Sequence, residues 1–341
     1  MSIMLRFLVC IWGMDYDIVA TLGPRSSSES VWRALISAGA SSFRLNTSHM
    51  STGQLGQWLD RVAAFMKSQD PRIRIILDLQ GSKWRLGRFA GYALEPGQTV
   101  ELEYARSSKA RGRLPVPHRD FFHAALSSDG TVTLNDARVV LAIEKADSLA
   151  LKARVVRGGR ISSHKGITCP SSSFRSESLG DKDLEIIGLT RGMDGVRYAI
   201  SYVKDFMEMS RYRDMVGRAP YMIAKLERKT ALEEAAKIAL LSDELWVCRG
   251  DLGAEMGLTE MAGALCAFSR TVKNITKPVL MAGQVLEHMT LRPVPTRSEV
   301  CFLHDVLADG YKGIVLSDET AMGRYPLESC REAAMFRGGL S

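Results

Sequence analysis

Short apolar runs alternate along the chain with longer stretches whose apolar residues recur at helical spacing. Asp17 to Thr21 reads as a strand, ended by Leu22-Gly23-Pro24. Ser26 with Glu29 makes a capping box for a helix whose apolar face is Val31, Leu35 and Ile36, and Gly39 stops it. Ser42 to Leu45 is a second strand, and Arg44, Asn46, Ser48 and His49 crowd its exit. Leu55, Leu59, Val62 and Met66 mark an amphipathic helix. Arg74 to Leu77 is a third strand, followed at once by Asp78. Short connections between these elements imply right-handed crossovers and a parallel sheet.

The pattern then changes. From about Arg88 to Thr168 apolar and polar residues alternate, with glycine-rich turns between the runs, which predicts a small antiparallel β module. The α/β rhythm resumes near Asp181. Gly195 to Ile200 is a strand ending at Ser201, and Tyr221 to Ala224 is a strand delivering Lys225 and Glu227. Glu244 to Cys248 delivers Arg249-Gly250-Asp251, and Lys277 to Met281 leads to Ala282-Gly283-Gln284. Thr296 with Glu299 caps a helix that Gly310 closes; Gly313 to Leu316 then leads to Ser317-Asp318-Glu319-Thr320, and a last helix starts near Leu327. Eight strands outside the module, near 17, 42, 74, 196, 221, 244, 279 and 314, predict an α/β fold: a (β/α)8 TIM barrel with a small antiparallel β lid domain inserted after the third strand. The expected division is an apolar N-terminal lead over 1–14, the barrel over 15–87 and 167–341, and the lid over 88–166.

A length of 341 residues accommodates a barrel with an insert. The net charge of +7 is scattered rather than blocked, and no basic stripe with interleaved aromatics is visible, so no nucleic-acid partner is expected. The apolar start is too short to span a membrane and lacks a small-residue cleavage site. The six cysteines form no CxxC or zinc spacing, which suits a reduced, cytoplasmic protein.

Chemistry concentrates at the strand exits, the rim where a parallel barrel carries its active site. Glu227 and Asp251 are hard oxygen donors of the kind Mg²⁺ takes together with substrate phosphate and water. Lys225 places a fixed positive charge beside them, which suits an anionic substrate whose charge moves during reaction. A single Lys-x-Glu is ordinarily solvated charge. The same strand-then-charge placement repeated along the chain is what favours a site.

FRLNTSH (43–49), LDLQGSKWR (77–85), IAKLE (223–227), CRGDLGAE (248–255), AGQVLEHM (282–289), PTRSEV (295–300) and LSDETAMGRYPLE (316–328) occur in the order and strand context of the pyruvate kinase family, which the chain resembles over roughly 15–335. The resemblance implies phosphoryl transfer from phosphoenolpyruvate to ADP, giving pyruvate and ATP. It implies Glu227 and Asp251 as ligands of Mg²⁺ (or Mn²⁺), and Lys225, Arg44 and Ser317 as catalytic. Arg44, Lys225, Gly283 and the amides of Gly250 and Asp251 would bind phosphoenolpyruvate. Asn46, His49, Arg85 and lid residues Lys165 and Asp136 would serve the nucleotide. Members that need K⁺ hold it at positions matching Asn46, Ser48, Asp78 and the carbonyl of Leu79. Here Leu79, Gln80, Lys83 and Leu86 resemble the K⁺-independent branch, in which the lysine ammonium replaces the cation, so no K⁺ requirement is expected. The resemblance does not extend to the family's C-terminal regulatory domain, so no sugar-phosphate activation is expected. A homodimer through the barrel is compatible with this reading.

The chain departs from the family at several rim positions. Gly283 stands where the family has a threonine, Met322 for a lysine, Asp318 for a glycine, Tyr202 for a phenylalanine, and CFLHDV (301–306) for a small polar stretch. Three readings follow. The retained lysine and carboxylates point to a pyruvate kinase. Gly283, Met322 and Asp318 point to a weakly active or non-catalytic homologue that binds metabolites or partners a hetero-oligomer. A third keeps the enolate chemistry with a different acceptor.

Overall fold

The computed structural model describes residues 13–68, 73–135, 137–170 and 179–338. Three strands, β1 (Asp17–Thr21), β2 (Ser42–Asn46) and β3 (Arg74–Leu79), precede the insert. The insert holds β4 (Tyr92–Leu94), β5 (Thr99–Glu103), β6 (Arg113–Pro115), β7 (Thr131–Leu134), β8 (Val139–Ala146), β9 (Ala150–Arg157), β10 (Gly159–Ile161) and β11 (Ile167–Thr168). The barrel resumes with β12 (Val196–Ile200), β13 (Tyr221–Leu226), β14 (Glu244–Cys248), β15 (Val279–Ala282) and β16 (Gly313–Leu316). The barrel strands close in the order β1-β16-β15-β14-β13-β12-β3-β2, with every neighbouring pair parallel.

Period-two alternation sorts each strand into two faces. Inward residues Val19, Ile76, Ala199, Ile223, Trp246, Leu280 and Val315 pack together inside the barrel. Their outward neighbours, among them Phe43, Leu77, Met222, Ala224 and Leu226, pack in the layer between strands and helices. Trp32 is wholly buried in that layer, and its indole N–H donates to the Ser26 carbonyl at 2.7 Å.

The lid has its own core, running from Trp84 and Leu86 through Phe121 and Leu141 to Ile167 and Cys169. It differs from a purely antiparallel module in two respects. Strands β5 and β6 pair in parallel, and the helix Arg119–Leu126 buries Phe121, Phe122, Ala124 and Ala125 beneath the sheet. That helix was not expected, because alternation dominates its surroundings and it is short.

Three local expectations are corrected. Ser28, not Ser26, caps the first helix (Glu29–Ser37), accepting from Val31 N at 3.4 Å; Ser26 is buried and accepts from Gly23 N at 3.0 Å. Strand β13 continues to Leu226, so Lys225 lies within it rather than beyond it, and Asp78 likewise lies within β3. Both stay paired in the ladder because their charges are neutralised inside the barrel mouth. Of the lead 1–14, the described part is Gly13 and Met14, and Met14 N donates to the Phe336 carbonyl at 3.2 Å. Among the described residues no helix is long and apolar enough to cross a membrane.

Candidate active site

The inner-face register carries its own consequence at the C-terminal ends of the strands. Thr21, Arg44, Asp78, Ser201, Lys225, Cys248 and Ser317 continue the inward sets of their strands, and Glu227 follows Lys225 by two. Most of them line a cleft of about 1100 Å³ between the barrel mouth and the lid, with Asn46, Lys83, Arg85, Lys165, Gly250, Asp251 and Gly283.

Lys225 is the centre of this arrangement. Its Nζ lies 3.1 and 3.2 Å from the Asp78 carboxylate oxygens, 2.9 Å from Ser201 Oγ and 3.0 Å from Glu227 Oε1. All its N–H groups are therefore engaged. Burial works against the ammonium, but Asp78 and Glu227 outweigh it and hold Lys225 protonated well above its ordinary range. Arg44 Nε donates to Asp78 at 2.7 Å, and its Nη1 donates to Thr21 Oγ1 at 2.9 Å. Burial opposes the Asp78 charge, yet Lys225 and Arg44 hold that carboxyl far below its usual range.

Asp251 lies in the first turn of the helix Arg249–Met256, whose leading amides lack intrahelical acceptors. Its carboxylate pairs with Lys83, which is buried and comes from the loop after β3. Burial pushes Asp251 up, Lys83 opposes this, and the Glu227 carboxylate pushes it up further. A buried carboxylate in this state would be relieved by more positive charge. Hard oxygens on Glu227 and Asp251 facing a substrate-sized cleft thus fit Mg²⁺ or Mn²⁺, the remaining positions falling to substrate oxygen and water. Among the described residues no group of three or more His, Cys, Asp or Glu forms a closed metal cage.

Lys83 is held by the shape of its loop. Gly81 has φ 59°, and a Cβ there would lie 2.1 Å from the Ser201 carbonyl oxygen. Gln80 N and Gly81 N donate to Asp183 at 3.1 and 2.8 Å, and burial pushes that carboxyl up to about 6. A Cβ on lid residue Gly166 would meet Lys83 Cε at 2.6 Å, so glycine there leaves room for the lysine stem. Gly81→Ala is expected to destabilise the protein by at least about 2 kcal/mol, since left-handed strain and backbone overlap add. Urea unfolding of the purified variant measures this.

Of the oxygens expected to surround a monovalent cation, those of Asn46, Asp78 and Leu79 already have partners. Asn46 Oδ1 accepts from Ser48 N at 3.2 Å, and the Leu79 carbonyl lies 2.7 Å from Ser201 Oγ. Gly283 has φ 84°, and a Cβ would sit 3.2 Å from Gly250 N. The Gly283 carbonyl accepts from Arg249 Nε and Nη2 at 2.9 and 2.7 Å. Ser317 N donates to the buried Glu319 at 2.7 Å. On the lid side, Arg85 Nη1 donates to the His164 carbonyl at 2.9 Å, and its buried Nε has no hydrogen-bond partner among the described residues. Lys165 lines the cleft, and Arg138 bridges lid and barrel to Glu287 at 3.1 Å. Asp136 and the side chain of His49 lie outside the described residues.

Sequence reasoning missed Ser201 as a ligand of the lysine, and Lys182 and Asp183 as the anchors of two rim loops. Lys182 Nζ donates to the carbonyls of Thr47 and Met50, both at 2.6 Å. The signal for Ser201 was its place directly after β12. For Lys182 and Asp183 there was none, because charges in a helix's first turn read as ordinary dipole partners.

The barrel domain model of pyruvate kinase matches residues 14–330. Curated relatives named pyruvate kinase include one from Agrobacterium vitis, 34% identical over 317 residues, covering 92% of this chain and 65% of that protein. One from Methylorubrum extorquens is 34% identical over 317 residues, covering 92% and 66%. One from Thermococcus litoralis is 30% identical over 317 residues, with the same 92% and 66%. The chain thus spans about 65% of the length of the first of these relatives.

Proposed function

The chain belongs to the pyruvate kinase family, and on that premise we propose that it transfers the phosphoryl group of phosphoenolpyruvate to ADP, giving pyruvate and ATP. The observation that carries this reading is the buried ion cluster in which Lys225 and Arg44 converge on Asp78 beside Glu227. Phosphoryl transfer asks a protein mainly for positioning and for charge aimed at the moving group.

The phosphate of phosphoenolpyruvate binds Arg44 and Lys225, and its carboxylate takes the amides of Gly250 and Asp251. Glu227 and Asp251 hold Mg²⁺ or Mn²⁺, which when bound neutralises phosphoryl oxygens. Lys225 has no spare N–H while Glu227 accepts from it; a Glu227 carboxylate engaged elsewhere frees one for the phosphoryl group. The P–O bond to the enol oxygen breaks and a P–O bond to the terminal ADP oxygen forms. The enolate then takes a proton at carbon to become pyruvate. Gly283 offers no hydroxyl for that proton, so the route runs by Ser317 on the neighbouring strand exit. Asn46, His49, Arg85, Lys165 and Asp136 serve the nucleotide, and closure of the lid excludes water as a competing acceptor.

K⁺ is not required in this reading. It is supported by Lys83 on Asp251, and by the partners that the Asn46, Asp78 and Leu79 oxygens already have. The reaction is assigned to the cytoplasm, in keeping with free cysteines among the described residues, with a barrel-to-barrel homodimer as the assembly. The second reading, a metabolite-binding homologue of low activity, is favoured by Gly283 and by Asp318 and Met322 in the cleft wall.

The deciding assay measures pyruvate from phosphoenolpyruvate, ADP and Mg²⁺. Turnover at equal rates in Na⁺ and K⁺, without response to fructose bisphosphate, is the expected result for the 341-residue polypeptide. No turnover, with phosphoenolpyruvate still bound in the presence of Mg²⁺, would move the assignment to the binding role. A large rise on replacing Na⁺ by K⁺ would defeat the cation part alone.

A further inference from the structure

We propose that the barrel carries a second binding site, at the end opposite the cleft, for the phosphate group of a small phosphorylated metabolite. The inference does not depend on the reading of Lys225 and its neighbours as an active site.

A cavity of about 590 Å³ opens between the N-terminal ends of β3, β12 and β13. That volume lies in the range of small-molecule sites, about 300–1,000 Å³. Among the described residues, four arginines line it, Arg74, Arg191, Arg197 and Arg218, with one carboxylate, Asp194. Tyr221 opens β13 at the cavity, and Lys225 lies further along the same strand. At a rise of about 3.3 Å per residue, the cavity is about 13 Å from the ion cluster. A molecule held there is out of reach of the groups at the strand exits, so it is a bound ligand rather than a reactant.

Two of the arginines are oriented by their surroundings. Arg197 lies over the Tyr221 ring, 4.0 Å from its centroid, and its Nη1 is 3.5 Å from Glu244 Oε2. Glu244 is itself fixed, accepting from Tyr221 OH at 3.0 Å and from Trp246 Nε1 at 2.5 Å. Stacking uses the face of a guanidinium and leaves N–H groups on its edge for bidentate contact with phosphate. Arg191 Nη2 donates to the Val216 carbonyl at 3.0 Å, which ties the end of the helix Asp181–Thr190 to the end of the helix Phe206–Val216. Arg218 is exposed in the loop between that second helix and β13. Several guanidiniums suit a phosphate monoester, with close to two negative charges and three acceptor oxygens, better than a single carboxylate. Val216, Pro220 and the Tyr221 ring give its carbon skeleton an apolar wall. A concave cavity between loops favours a small ligand over a nucleic-acid backbone, which calls for a stripe of charge.

The test is isothermal titration calorimetry with inorganic phosphate and with ribose 5-phosphate, free of divalent cations and at about 0.15 M salt. It compares the wild-type chain with Arg218→Glu and Lys225→Met. Ribose 5-phosphate is expected to bind wild type with Kd below about 1 mM, and more tightly than inorganic phosphate. Arg218→Glu, a change in an exposed loop far from the strand exits, should weaken that binding about 10-fold or more, because it turns an attraction into a repulsion. Its pyruvate formation should match wild type. Lys225→Met should bind ribose 5-phosphate unchanged. Binding lost in Lys225→Met and kept in Arg218→Glu would place the ligand in the cleft and overturn the proposal. Arg218→Glu binding as tightly as wild type, or wild type binding neither probe, overturns it as well and leaves the functional reading intact. Equal affinity for the two probes would mark a site for free phosphate and overturn the metabolite assignment.

Discussion

Lys225→Met is expected to lower pyruvate formation by about 10³-fold or more, the range for removing one charge aimed at a transferring group. Methionine keeps most of the stem's volume, so packing inside the barrel survives. Asp78 and Glu227 lose a shared counter-charge at buried positions. Removing one partner of a buried pair costs about 3–5 kcal/mol, and Arg44, still on Asp78, softens the loss towards the lower end. Steady-state turnover and thermal unfolding on the same preparation separate the two effects. A folded variant retaining a large part of wild-type turnover would remove Lys225 from the chemistry, and with it the cluster's claim to be the active site.

Lys83→Glu has the second largest expected effect. The wild-type mouth sets the cations Arg44, Lys83 and Lys225 against the carboxylates Asp78, Glu227 and Asp251. The substitution removes one of those cations and puts another anion against Asp251, which burial already pushes up. Turnover in Na⁺ should fall by about 10²-fold, equivalent to about 2.7 kcal/mol on the barrier. Potassium ions should restore part of it, because a monovalent cation can then supply the missing charge. Rates measured in K⁺ and Na⁺ for wild type and variant decide the matter. Unchanged K⁺-free turnover in Lys83→Glu would show that the buried ammonium serves only the structure around Asp251.

Much of this site was legible one strand at a time. Inward alternation through Ile223 predicts that Lys225 and Glu227 share the lumen side, and the same rule places Asp78 two beyond Ile76 and Ser317 two beyond Val315. Strand ends were less legible. Lys225 and Asp78 looked like the first residues outside their strands, since a charge ordinarily ends an apolar run. They remain inside because their partners sit across the lumen, which a linear reading does not contain. The lid helix Arg119–Leu126 was missed for a related reason: its phenylalanines bury against strands far along the chain, and tertiary packing overrides a weak local pattern.

The sequence by itself determined the eight-strand barrel, the inserted lid, the identity of the charged groups at the rim and the face each strand end presents, because these follow from local periodicity and residue chemistry. Only the tertiary structure decided which charges meet. Asp78 and Lys225 are 147 residues apart and Lys83 and Asp251 are 168 apart, and barrel closure brings each pair into contact. The Asp183 anchor belongs to the same class. It is held by bonds between segments that share no local pattern, so its stability exists only once the ring of strands has closed.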